Sequence, residues 1–105
     1  MKQIILFLLL TSMATAAEPA KPVNAQDVAQ LRAEWLLARP HYRWHPPYYS
    51  VGNVWRYARF EGVGWGRAGA VQQRMGTCTP RYRMRLVGDG FASNGRLSVR
   101  VRLWR

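Results

Sequence analysis

Six arginines, Arg81, Arg83, Arg85, Arg96, Arg100 and Arg102, crowd into the last quarter of the chain with Phe91 and Trp104 among them. Arginine's planar fork matches phosphate and carboxylate groups, and aromatic rings stack on bases. The pattern therefore suits a polyanion such as nucleic acid, lipopolysaccharide or another anionic envelope polymer. A basic solvent face also keeps β-rich chains from pairing with themselves. Ordinary solvated faces mix both signs, whereas Asp89 is the single acid here. We read the stripe as a polyanion-binding face.

A second group, Tyr42, Trp44, Tyr48 and Tyr49, lies in the Pro-rich stretch RPHYRWHPPYYSVGN. Tyr, Trp and Arg dominate protein-binding hot spots, so these four are candidate partner-binding residues. They carry the alternative reading, an envelope accessory or inhibitor protein that docks an acidic protein partner.

Catalytic types are sparse. Of five acids, Glu18 precedes the first expected helix, while Asp27 and Glu34 belong to it. Glu61 and Asp89 remain, too few for an acid–base pair with an orienting third group. Cys78 with His41 or His45 offers a nucleophile and a base, but nothing to orient them. The spacing of His41 and His45 would suit a metal on a helix, which Pro40, Pro46 and Pro47 prevent. No enzymatic activity, catalytic residue, metal or cofactor is expected. Cys78 is the only cysteine, which excludes an internal disulfide and suggests a small buried hydrophobe, with an intermolecular disulfide or a reactive thiol as the alternatives.

The glycine-rich centre offers two motifs. Gly64, Gly66 and Gly69 have G-x-G-x-x-G spacing, but the dinucleotide fingerprint needs a βαβ unit that an antiparallel hairpin around Asp89 does not supply. FEGVGWGRAGAV resembles the loop of the helix-hairpin-helix family through Phe60, Gly62, Val63, Gly64, Ala68 and Val71. That resemblance implies contact with the DNA backbone through loop amides, and it requires a helix ahead of the loop. Residues 54–61 read as strand instead, so the two expectations part there.

The elements that must position these groups follow from charge and periodicity. The chain opens with MKQIILFLLLTSMATAAEP: a lysine, a short apolar run and a small-x-small site, the pattern of a signal peptide over 1–17. A periplasmic or secreted protein is expected, with cleavage after Ala16 or Ala17 and no integral membrane segment in the mature chain. The net charge of +11 on 105 residues favours anionic partners and says nothing of fold. A Pro-rich leader covers 18–23, and 24–105 reads as a single small α+β domain with a Pro/aromatic loop at 39–50.

Within that domain, NAQDVAQLRAEWLLAR reads as a helix capped by Asn24, with Val28, Leu31, Trp35 and Ala38 on its apolar face and Leu36 beside them. Glu34 is expected to pair only weakly with Arg39 or Arg32. Val54 to Val63 reads as a strand, and RAGAVQQRMG as a short second helix ending at Gly76. Asn94-Gly95 marks a two-residue hairpin turn. It places Ser93 opposite Arg96, Asp89 opposite Arg100 and Arg85 opposite Trp104. Met84, Leu86, Gly88, Gly90, Ala92, Leu97, Val99, Val101 and Leu103 then share an apolar face. The expected fold is α+β: an N-terminal helix and a short second helix packed on a three-stranded antiparallel sheet with a C-terminal β-hairpin.

Overall fold

Asn24 sets the first element. Its side-chain oxygen accepts the Asp27 N–H at 2.8 Å, and the Asp27 carboxylate accepts the Val23 N–H at 3.0 Å. The first bond satisfies a donor that a helix start leaves unpaired, and the second ties the residue before the cap to the first turn. Helix α1 follows, Ala25–Leu37. The computed structural model describes residues 21–105, and the signal-peptide pattern at 1–17 lies outside the described residues.

Three strands, β1 (Phe60–Arg67), β2 (Leu86–Ser93) and β3 (Leu97–Trp104), make one antiparallel sheet in the order β1-β3-β2. The fold is α+β. The C-terminal strand is the centre of the sheet, and Val99, Val101 and Leu103 are fully buried beneath α1. Among the described residues no helix is long and apolar enough to cross a membrane.

The helix lies backbone-close to β2. A Cβ on Gly90 would sit 2.3 Å from the Ala29 carbonyl oxygen, and one on Gly88 would sit 2.6 Å from that of Ala25. Small residues therefore face the sheet, and the buried face of α1 is Val28, Ala29, Arg32, Ala33 and Leu36. The expected stripe is rotated: Leu31 and Trp35 are half-buried and Ala38 is exposed. Gln26 and Gln30, one turn apart, each exchange two hydrogen bonds with the backbone of Asp89 and Phe91 on β2. Their amides take the place of a further strand along that edge, which removes a site for edge-to-edge pairing.

Four local expectations change. Val54–Arg56 is a 3-10 turn rather than strand, because Gly52 and Asn53 turn the chain at φ 81° and 47°. The strand begins at Phe60 and runs on through the glycines to Arg67. The second helix is reduced to a 3-10 turn at Gln72–Arg74 flanked by extended Val71 and Met75; the Gln72 side chain and the Met75 carbonyl are engaged by Asp89 and Arg100 of the sheet. The hairpin turn is centred one residue later than expected. Asn94 stays outside the positive-φ region and accepts the N–H groups of Arg96 and Leu97 on its side-chain oxygen, at 2.7 and 2.8 Å. Ser93 thus pairs with Ser98 and Ala92 with Val99. A two-residue shift preserves faces, so Gly88, Gly90, Ala92, Val99, Val101 and Leu103 are buried as expected, whereas Met84 and Leu97 are half-buried and Leu86, beyond a register irregularity between Leu86 and Gly88, is exposed.

Candidate polyanion-binding surface

The arginine stripe of β3 does not face open solvent. Residues 68–80 form a strap over the sheet face opposite α1. Gly62, Gly64 and Gly66 supply the groove it lies in. A Cβ on Gly62 would stand 2.1 Å from the Cys78 carbonyl oxygen, one on Gly64 2.0 Å from that of Gly76, and one on Gly66 3.1 Å from Met75 Cε. The glycine spacing that suggests a phosphate or DNA loop is thus a strand interior shaped for a neighbouring backbone. The residues just ahead of it form a 3-10 turn at Val54–Arg56 instead of an α-helix, so the helix-hairpin-helix geometry does not form there.

Arg100 and Arg102 hold this strap down. Arg100 is 7% exposed. It donates to the Met75 carbonyl at 2.7 Å and grips both Asp89 carboxylate oxygens, at 2.9 and 2.6 Å. The Asp89–Arg100 pair is diagonal rather than directly opposed, since the register sets Asp89 against Arg102. Gln72 in the strap donates to the same carboxylate at 3.0 Å. Burial alone would raise the Asp89 carboxyl, but the hydrogen bonds from Arg100 and Gln72 and the nearby positive charges hold it below its ordinary value. Arg102 donates to Thr77 Oγ1 at 2.9 Å, and its guanidinium lies 4.9 Å from the Trp104 ring centroid. The cation–π partner of Trp104 is therefore Arg102 rather than Arg85, and Trp104 itself is buried against Phe60. Phe91 is half-buried, and Cys78, expected in the core, is exposed.

Arg81, Arg83, Arg85 and Arg96 are exposed. Arg96 lies at the hairpin end of the sheet, away from the other three. At the opposite end the register builds a row that the local sequence does not announce. The Arg85 N–H donates to the Arg105 carbonyl at 3.0 Å and the Arg105 N–H to that of Arg85 at 2.9 Å, while the Arg59 N–H donates to the Trp104 carbonyl at 2.8 Å. The ends of three strands thus present Arg59, Arg105 and Arg85 at neighbouring backbone positions, in steps of about 5 Å. All three are exposed, and exposed Arg81, Tyr82 and Arg83 lead into the row. Among the described residues, ion pairs with carboxylates engage Arg32 and Arg100 alone among fourteen arginines. No side-chain carboxylate pairs with the arginines at the sheet end among the described residues.

The aromatic stretch is anchored from below by Arg32. This fully buried guanidinium donates to both oxygens of Glu61 and to the carbonyls of Pro46, Pro47 and Val51. Arg32 thus pairs with Glu61, leaving Glu34 to accept from Gln30. His45 Nδ1 lies 2.8 Å from Glu61 Oε1. Burial would push the Glu61 carboxyl up, yet hydrogen bonds from His45 and Arg32, with their charge, hold it below the usual carboxylate range. On this anchor, Tyr42 packs edge-on to Trp35 at 4.9 Å and Tyr48 lies 4.7 Å from Trp55. Trp44 and Tyr49 stand out, 76% and 79% exposed. His41 does not join His45 but lines a cavity at the hairpin end.

The structure thus groups Arg81, Arg83 and Arg85 with the unforeseen Arg59 and Arg105, and removes Arg100, Arg102 and Trp104 to the strap. Comparison with known protein families, with curated proteins and with solved structures returns no match for this chain.

Proposed function

We propose that the protein is an exported, non-enzymatic binding module for a polyanion, either nucleic acid or an anionic envelope polymer. The supporting observation is the row Arg59, Arg105 and Arg85, extended by Arg81 and Arg83, exposed and without a carboxylate partner among the described residues. Such a row tracks a chain of phosphates by charge, and exposed Tyr82 beside it offers a ring for a base. The signal-like N-terminus supports a periplasmic or secreted location; N-terminal sequencing of the recovered chain is expected to start at Ala17 or Glu18, and retention of Met1 would contradict export.

The test is the salt dependence of binding to a single-stranded oligonucleotide and to polyphosphate. Each neutralised phosphate contributes roughly 0.7 to the slope of log K against log salt for single strands. The triple variant R59Q/R85Q/R105Q is expected to flatten that slope by about two units. A control with the same charge loss elsewhere, R39Q/R56Q/R74Q, is expected to change it much less. Equal losses from the two variants would mean that net charge acts without a site.

Trp44 and Tyr49, both largely exposed, favour the second reading, an accessory or inhibitor that docks an acidic protein. Binding at fixed stoichiometry that Trp44→Ala abolishes and polyphosphate does not displace would select it.

A further inference from the structure

At the hairpin end of the sheet a cavity of about 470 Å³ is lined by Pro40, His41, Arg43, Asn94, Arg96 and Leu97. Its size lies within the range of small-molecule sites. No carboxylate lines it. The polar groups are biased toward donation. Asn94 Oδ1 is taken by the N–H groups of Arg96 and Leu97, so the group Asn94 has left to offer is its amide NH2. The two guanidiniums have donors only.

The lining residues are exposed, Leu97 excepted, but two of them are held in place by their neighbours. Arg43 stacks over the Trp65 ring, 4.8 Å from its centroid, which orients a guanidinium that would otherwise sample many rotamers. The Arg96 backbone is pinned on both sides, its N–H on Asn94 Oδ1 and its carbonyl accepting the Ala68 N–H at 3.1 Å. Pro40 and Leu97 add apolar wall between the charges.

We propose that this cavity is a binding site for a small phosphate monoester, with Arg43 and Arg96 as a two-armed clamp, His41 and the Asn94 amide as further donors, and Pro40 and Leu97 against the ligand's carbon body. A phosphate monoester fits because it offers several acceptor oxygens and close to two negative charges, which two guanidinium forks bind in parallel. The site stands apart from the arginine row at the other end of the sheet and does not rest on the polyanion reading.

Glucose 6-phosphate, glucose and inorganic phosphate serve as probes, titrated by calorimetry and by NMR into the chain as recovered from cells. The Trp65 indole N–H, buried with no acceptor among the described residues, lies beneath Arg43 and is the local reporter. Saturable one-to-one binding of glucose 6-phosphate is expected to shift that resonance, with inorganic phosphate competing and glucose inert. R43Q and R96Q are each expected to weaken binding about tenfold or more, the loss of one charge-assisted contact. Arg43→Lys, which keeps charge and fold, is expected to fall between. R59Q/R85Q/R105Q is expected to leave the affinity within about twofold, since its charges lie beyond a Debye length of roughly 10 Å at 0.1 M salt. A 5′-phosphorylated oligonucleotide that outcompetes its 5′-hydroxyl form in an Arg43-dependent way would place the phosphate on a polymer end; equal competition would place it on a free metabolite. Non-saturating binding, or equal losses from the clamp and sheet-end variants, would overturn the site.

Discussion

Arg32 on α1 and Glu61 on β1 join at the centre of the fold, and the same guanidinium also holds the carbonyls of Pro46, Pro47 and Val51. One side chain thereby ties helix, sheet and aromatic loop together. Neither charge is left without a partner, which is the condition under which such a pair is tolerated in an interior.

Removing one member strands the other. Arg32→Met is expected to lower stability by about 3–5 kcal/mol, because Glu61 stays buried and three loop carbonyls lose their donor. Urea denaturation measures it. The double variant R32M/E61L is expected to be more stable than R32M alone, since it removes the uncompensated charge. A loss of under about 1 kcal/mol in R32M, typical of an exposed pair, would show that the cluster does not hold the loop.

Acid acts on the same cluster. Glu61 and Asp89 both have their carboxyls held below the ordinary values of 4.5 and 3.8, by hydrogen bonds and positive neighbours that outweigh burial. A depressed folded pKa means that the stabilisation is fully present above the unfolded value and is lost as pH falls through the folded one. The urea midpoint is therefore expected to be flat above the ordinary carboxyl range and to drop below it. E61Q/D89N is expected to start lower and to lose most of that slope. A slope unchanged in the double variant would assign the acid sensitivity to other groups.

The strap rests on glycine. Gly64→Ala would place a methyl 2.0 Å from the Gly76 carbonyl oxygen, and overpacking of this kind costs about 1–3 kcal/mol. Gly95→Ala, in open space and outside the positive-φ region, is expected to stay within about 0.5 kcal/mol. Thermal denaturation of the pair compares them. Equal effects would mean that the strap does not press on β1.

Why some of this is legible in sequence and some is not follows from the range of the forces. The Asn24 cap and the inward Gly88, Gly90, Ala92, Val99, Val101 and Leu103 are local patterns, and period-two alternation survives even a turn displaced by one residue. The 3-10 turn at Gln72–Arg74 is not local. Val71 and Met75 have helical spacing, but Gln72 and the Met75 carbonyl are claimed by Asp89 and Arg100 across the sheet. Arg32 hides for the same reason. A charged residue among Val28, Ala29 and Leu36 looks like the edge of an apolar stripe until Glu61 arrives from 29 positions away. The row at the sheet end depends wholly on strand register, since Arg59, Arg85 and Arg105 share no sequence neighbourhood. One signal was available: Glu61, a lone acid beside glycine and valine in a strand, asks for a buried cation.

The final expectation separates the arginines that hold the strap from those that meet solvent. Arg100 spends its guanidinium on Asp89 and on the Met75 carbonyl, so it has little to offer a ligand. Arg100→Gln is expected to destabilise the fold by about 3 kcal/mol or more, as removal of one partner from a mostly buried pair does. While the variant remains folded, its salt slope for oligonucleotide binding is expected to match that of the wild type. Arg85→Gln is expected to do the reverse, changing stability by no more than about 0.5 kcal/mol and flattening the slope by roughly 0.7. Measuring both quantities on both variants gives four numbers. If Arg100→Gln flattens the slope as much as Arg85→Gln at full folding, the stripe of β3 meets the polyanion after all and the strap must move to admit it.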